Sequence, residues 1–179
     1  IFKNIAHRHK IKFFLRNKNY GKSNIKSDDV VNNFLQNINC DYLVWVNPIA
    51  PLQEVEDIKN SVKILINNKY NTLMTVVDKN VHYLKNNKPI NFKTNRKFDR
   101  TQDLPPVSEM VYTLMMWNTK TFLKSYKKNK FAMLHGRKYY FPVSKTSSLI
   151  VKNKEDLLLI ETILKQKNKK IEYDNVLKV

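Results

Sequence analysis

The chain has 179 residues, 42% of them hydrophobic, enough for one domain with a single core, and no apolar run is long enough to cross a bilayer. Its formal charge of +18 comes from 33 Lys and Arg against 15 Asp and Glu. The one cysteine, Cys40, excludes an intrachain disulfide, and the first residues lack a signal-peptide pattern, so a cytoplasmic protein away from membranes is expected.

In chain order, Ile1 to about His9 reads as the back half of a helix and Lys10–Leu15 as a short strand, ended by Arg16 and a polar loop with Gly21. Ser27 reads as the N-cap of a helix whose first turn holds Asp28 and Asp29, acids suited to the positive end of the helix dipole. Val30, Val31, Phe34 and Leu35 form its apolar face. The apolar run Tyr42–Val46 predicts a buried strand, stopped by Asn47-Pro48 and by Pro51, after which Val55, Ile58, Val62 and Leu65 repeat with helical spacing to about Asn67. Prolines at 48 and 51 fix φ and remove backbone donors, so this loop is expected to hold its shape. A strand that breaks into such a loop and then a helix is how open α/β sheets place ligands at strand carboxyl ends.

Asn71–Val77 predicts another strand. From Asp78 to Pro106 apolar residues thin out, and only Tyr83-Leu84 and Ile90 suggest short strands, so residues 78–106 read as an excursion from the main sheet, a hairpin arm. Val111–Trp117 is a strongly apolar strand, capped into a helix by Asn118-Thr119, and residues 139–142 are a β segment. Asn153 to Asp156 has the pattern of a capping box opening a last helix through about Lys165. Residues 167–179 read as a solvated, flexible basic tail. Strands alternating with helices argue for a mostly parallel sheet with helices on both faces.

The charge invites a nucleic-acid reading, which ranks third here. Nearly all of it is lysine, the arginines being Arg8, Arg16, Arg96, Arg100 and Arg137, and the lysines are spread among Asn and Ile as solvated faces are. A phosphate-tracking surface would concentrate arginine and interleave aromatics. His7 and His9 lack a third ligand for a metal.

Several segments, in order, resemble the acylneuraminate cytidylyltransferase family, the synthetases of CMP-activated acidic sugars. Arg16, the polar loop and Ser27 resemble the family's arginine-to-serine segment. Val46-Asn-Pro-Ile-Ala-Pro-Leu52 resembles its strand ending in a proline loop, and Arg100-Thr-Gln-Asp-Leu-Pro105 its Arg-x-Gln-x-Leu-Pro segment. Val143-Ser144 with Glu155-Asp156-Leu157 resembles its C-terminal close. The resemblance implies a nucleotide-diphospho-sugar-transferase-like α/β fold with a small β arm for dimerisation. It also implies transfer of CMP from CTP to a nonulosonic acid such as sialic acid, with pyrophosphate released and Mg²⁺ as cofactor, for surface glycan biosynthesis. By the same resemblance Arg16, Ser27 and Asn47 bind the nucleotide. Lys85, Arg100 and Gln102 bind the acidic sugar, partly across a homodimer.

The departures from the family pattern are specific. Its N-terminal phosphate loop, within roughly 50 residues or about one βαβ unit, is absent from this sequence. Ile150 and Lys152 stand where two metal-ligating aspartates belong, Gln53 replaces an arginine, Ile49 a threonine, and Val111-Tyr112 an Asn-Gly pair. A lysine cannot replace a carboxylate on a hard cation. The expectation is therefore a chain that makes no CMP-sugar by itself. A degenerate relative that binds nucleotide or sugar without catalysis is the first alternative; a metal-dependent glycosyltransferase would want an Asp-x-Asp motif after a strand, which the sequence lacks.

Overall fold

The computed structural model describes residues 2–166; the expected basic tail at 167–179 lies outside the described residues. The chain divides into two compact units. One runs to Leu43 and takes up Trp117–His135; the other holds Val44–Met116 and resumes at Gly136.

In the first unit, α1 (Phe2–Arg8) is followed by Lys10 with φ 54° and then by irregular chain. The strand expected at Lys10–Leu15 does not form. No neighbour supplies a ladder, and Ile11, Phe13 and Leu15 stay 63%, 40% and 79% exposed, while Phe14 packs edge-on against Phe34 at 5.2 Å. Helix α2 (Ser27–Asn37) begins where expected, but Lys26 occupies the cap and Ser27 is the first helical residue. The cap contact comes from Asp29, whose carboxylate accepts from the Lys26 N–H at 3.3 Å. Helix α4 (Thr119–Asn129) follows its own cap, Asn118, whose side chain accepts from Thr121 N at 3.0 Å, and ends at Lys130 in the left-handed region. Helices α2 and α4 pack together, and Phe122 of α4, fully buried, meets the fully buried Trp117 edge-on at 5.9 Å.

The second unit is built on a sheet. Its strands are β1 (Tyr42–Val46), β2 (Thr72–Lys79), β5 (Val107–Asn118) and β6 (Lys138–Pro142), in the order β1-β5-β2-β6; β1 and β5 each also extend into the first unit. The α/β class is as expected, but the pairings are mostly antiparallel. β2 and β6 run parallel, from Thr72 beside Lys138 to Val76 beside Pro142. β5 meets β1 antiparallel, with Asn47 N donating to Thr113 O and Thr119 N to Asp41 O. The physical reason is the insertion of the long apolar β5, entered from the arm, between β1 and β2. Six consecutive buried residues, Thr72–Val77, and the run Thr113–Trp117 identify β2 and β5 as interior strands. The two buried hydroxyls there satisfy each other, Thr75 Oγ1 lying 3.0 Å from Thr113 Oγ1.

Helix α3 (Val55–Asn67) packs on β2, and its Ser61 and Leu65 are fully buried. Between β2 and β5 the arm forms a two-stranded hairpin, β3 (Leu84–Lys85) with β4 (Lys88–Pro89). Asn86 and Asn87 both have positive φ, 51° and 61°, which is the type I′ geometry that matches strand twist. At Gly136 a left-handed φ and the Asn71 side chain exclude any larger residue, since an added Cβ would lie 2.5 Å from Asn71 Oδ1. Helix α5 (Lys154–Gln166) opens on the expected capping box: Asn153 Oδ1 accepts from Asp156 N at 2.9 Å and Asp156 Oδ2 from Asn153 N at 3.1 Å.

Candidate functional site

The proline loop is the best-built irregular segment of the second unit. Asn47 follows the last residue of β1 and is held twice through its own side chain. Its amide donates to Tyr112 O at 3.0 Å and its Oδ1 accepts from Ile49 N at 3.3 Å, an Asx turn that shapes the backbone ahead of Ala50. Ala50 N closes back onto Asn47 O at 3.0 Å. Ala50 and Leu52 are 4% and 2% exposed and anchor the loop in the core, while Val46 and Ile49 are left open to solvent. The C-terminal segment joins the same place: Val151 N donates to Ile49 O at 2.8 Å. Thus the positions that the resemblance gives to two metal-ligating aspartates, Ile150 and Lys152, flank a residue bonded directly to the proline loop.

Behind the loop, Gln53 Nε2 donates to Asp57 Oδ2 at 3.1 Å, while its buried Oε1 has no partner among the described residues. Ile150 and Lys152 offer an aliphatic side chain and an ammonium, neither of which is a ligand for Mg²⁺, a cation that takes oxygen ligands in near-octahedral order. Among the described residues no three of His, Cys, Asp and Glu come together as a metal site. The residues present do not fit the cofactor that the resemblance implies.

The other expected site residues divide between the units. Arg16 and Ser27 are exposed residues of the first unit, and Asn47, Lys85, Arg100 and Gln102 belong to the second. Lys85 is exposed on β3. Arg100 is engaged within its own turn, its Nε and a terminal nitrogen bonding the Asp103 carboxylate at 2.7 and 3.2 Å, and Gln102 is exposed on the same 3-10 turn, Thr101–Asp103. The rest of the arm is held by Asn91, which accepts from Tyr83 N at 3.0 Å and donates to Val81 O and Pro105 O at 2.8 and 3.1 Å. His82 stacks on Phe98 at 4.2 Å and meets Phe92 edge-on at 4.8 Å.

Two acids that sequence reasoning assigned only to the helix dipole prove to be fasteners of the first unit. Asp28 Oδ1 accepts from the N–H groups of Ala132 and Met133 at 2.5 and 2.9 Å, and Asp29 Oδ1 accepts from Tyr126 Oη at 2.5 Å. The bond to Asp29, with partial burial, raises the Tyr126 phenol to about 12. Their partners lie about a hundred residues downstream, so no local pattern could have signalled them. Asn91 was hidden in the same way, as one asparagine in a segment full of them.

Comparison of the sequence with protein-family models and with curated proteins finds no match. Among solved structures the chain is similar to 4-diphosphocytidyl-2C-methyl-D-erythritol synthase from Anaerococcus prevotii. The TM-score is 0.64 and the identity 12%, over 92% of this chain and 75% of that one. It is also similar to the bifunctional IspDF from Campylobacter jejuni, with TM-score 0.56 and 13% identity, over 87% of this chain but only 39% of that longer one. The likeness shows the fold alone, an α/β architecture shared with these two structures.

Proposed function

We propose that this chain is a cytidylyltransferase-type domain that binds CTP at the carboxyl end of β1, around the proline loop. The observation that carries the reading is the shared fold, over 92% of the chain, with a protein named for making a diphosphocytidyl product. The loop geometry supports it. A ligand at a strand carboxyl end needs a surface that keeps its shape, and the Asn47 turn, the two prolines and the Val151 bond supply one.

Within this reading Asn47 positions the loop, because both ends of its carboxamide are already bonded to backbone. The loop's remaining features, exposed Val46 and Ile49 with Lys152 on the joining segment, suit the apolar and anionic parts of a nucleotide. Arg16 and Ser27, which belong to the first unit, are nucleotide contacts only by the resemblance and are not counted in the loop site. The acceptor is a nonulosonic acid, and the arm (78–106), with Lys85, Arg100 and Gln102, reaches a second copy in a homodimer. Arg100 would then have to exchange or share Asp103 with the sugar carboxylate, a swap between like partners that costs little at an exposed site.

A second reading, a binding relative without turnover, is favoured by one observation. Ile150 and Lys152 bracket the residue tied to the loop, and neither side chain can carry a metal ligand's negative charge. The two readings share the nucleotide and differ in turnover. Calorimetric titration of the 179-residue chain is expected to give saturable binding of CTP and much weaker binding of ATP and GTP. Pyrophosphate release with CTP, Mg²⁺ and a nonulosonic acid is expected to stay at background. Equal affinity for purine nucleotides, or no binding at all, overturns the proposal; metal-dependent release that is lost in Arg16→Ala overturns the second reading and restores the enzyme.

A further inference from the structure

We propose a second ligand site, independent of the proline loop, in the cleft between α2 and α4 of the first unit, and assign it to a small phosphate monoester with a flat apolar body. The cleft has a volume of about 400 Å³ and is lined by Asn32, Gln36, Leu123, Tyr126, Lys127 and Lys130. Such a volume holds a molecule of mononucleotide size or smaller. None of Arg16, Ser27 or Asn47 takes part in it.

The lining has the division of labour that such a ligand needs. Leu123 and the ring of Tyr126 form an apolar wall, one turn apart on α4. The Tyr126 hydroxyl is already given to Asp29, so the phenol is held in place and stays neutral. Lys130 Nζ lies 6.0 Å from the centre of that ring, at the outer limit of a cation–π contact, so its charge stands over the wall and is available to an anion resting there. Lys127 brings a second ammonium one residue along from Tyr126. Asn32 and Gln36, one turn apart on α2, add carboxamides from the opposite side.

The lining itself holds two lysines and no acid. The two acids that α2 carries, Asp28 and Asp29, are occupied by the N–H groups of Ala132 and Met133 and by Tyr126 and Lys26. Among the described residues neither Lys127 nor Lys130 is in an ion pair, in contrast to Lys59, Lys79 and Lys165. Two lysines beside an aromatic wall, in a lining that contains no carboxylate, favour an anion that can also stack, while the bonded but still anionic Asp28 and Asp29 nearby offset part of that attraction. The backbone geometry holds Lys130 at this spot: its N–H caps α4 on Tyr126 O at 2.8 Å, with the residue in the left-handed region.

The test is an amide NMR titration of the full chain with phenyl phosphate, run beside inorganic phosphate and phenol. Phenyl phosphate is expected to shift the resonances of Asn32, Gln36 and Leu123–Lys130 saturably, with both fragments weaker by about tenfold or more because each engages only half of the lining. The double variant Lys127→Gln, Lys130→Gln should lose about tenfold in affinity while its circular dichroism and melting curve remain those of the parent. Saturable shifts elsewhere only, no saturation at millimolar probe, or unchanged affinity in the folded double variant each overturn the proposal. Should the double variant misfold, the single Lys127→Gln chain decides by the same measurement. Because the probe lacks a cytidine, its outcome does not depend on whether CTP binds the proline loop.

Discussion

The proline loop and the arm both leave the main sheet in the second unit, yet they are held in opposite ways. The loop is fastened over long sequence distances, to Tyr112 and Val151, and sinks Ala50 and Leu52 into the core. The arm is fastened to itself, by Asn91, by the Arg100–Asp103 pair and by His82 against Phe92 and Phe98. Only Leu104, 3% exposed near its end, reaches the core, while Leu84, Ile90 and Phe98 are 59%, 54% and 75% exposed. The lesson is that a ligand loop borrows rigidity from the core, whereas a projecting arm makes local shape from asparagine bonds and ring stacking and keeps its apolar surface for something else.

The largest effect should come from Leu52→Ala. Truncating a 2%-exposed leucine at the loop's anchor is expected to cost about 2–5 kcal/mol of global stability, read from denaturant unfolding. Asn91→Ala should come next, removing three bonds at once. A loss of about 1–3 kcal/mol is expected to fall on the arm, as faster hydrogen exchange of the Tyr83 amide with the Ala50 amide unchanged. If both amides speed up equally, the arm is not independent of the loop and the contrast fails.

The sequence exposed the loop more fully than the arm, and the reason is physical. Prolines at 48 and 51 after an apolar run specify a strand end from neighbours alone, and α3 begins and ends at the expected residues. The antiparallel entry of β5 could not be read, because a continuous apolar strand is compatible with either direction once both its faces are buried. The missing strand at Lys10–Leu15 had the right composition and lacked only a partner, which no local pattern reports. At the candidate site, Asn47 was legible as a position, while its bond to Tyr112 spans 65 residues and was not.

Asn47→Ala is a smaller perturbation than the first two. It deletes the bond to Tyr112 O and the turn bond from Ile49 N and should cost about 1 kcal/mol, with faster exchange at Ala50. The smallest effect is expected for Phe98→Ala, within about 0.5 kcal/mol for the isolated chain because the ring is mostly solvated. The same change should weaken self-association measured by sedimentation if the arm packs on a second copy. A strict monomer at high concentration in the parent chain would remove that role from the arm and leave its fold unexplained by a partner.

The most direct test of the central proposal, that the proline loop is a cytidine nucleotide site, is an amide NMR titration of the chain with CTP and, separately, ATP. The account predicts saturable shifts with CTP at Asn47, Ile49, Ala50 and Val151, the residues of the braced loop, at concentrations where ATP leaves them unmoved. CTP shifts that bypass those four residues, or an equal response to ATP, would contradict it.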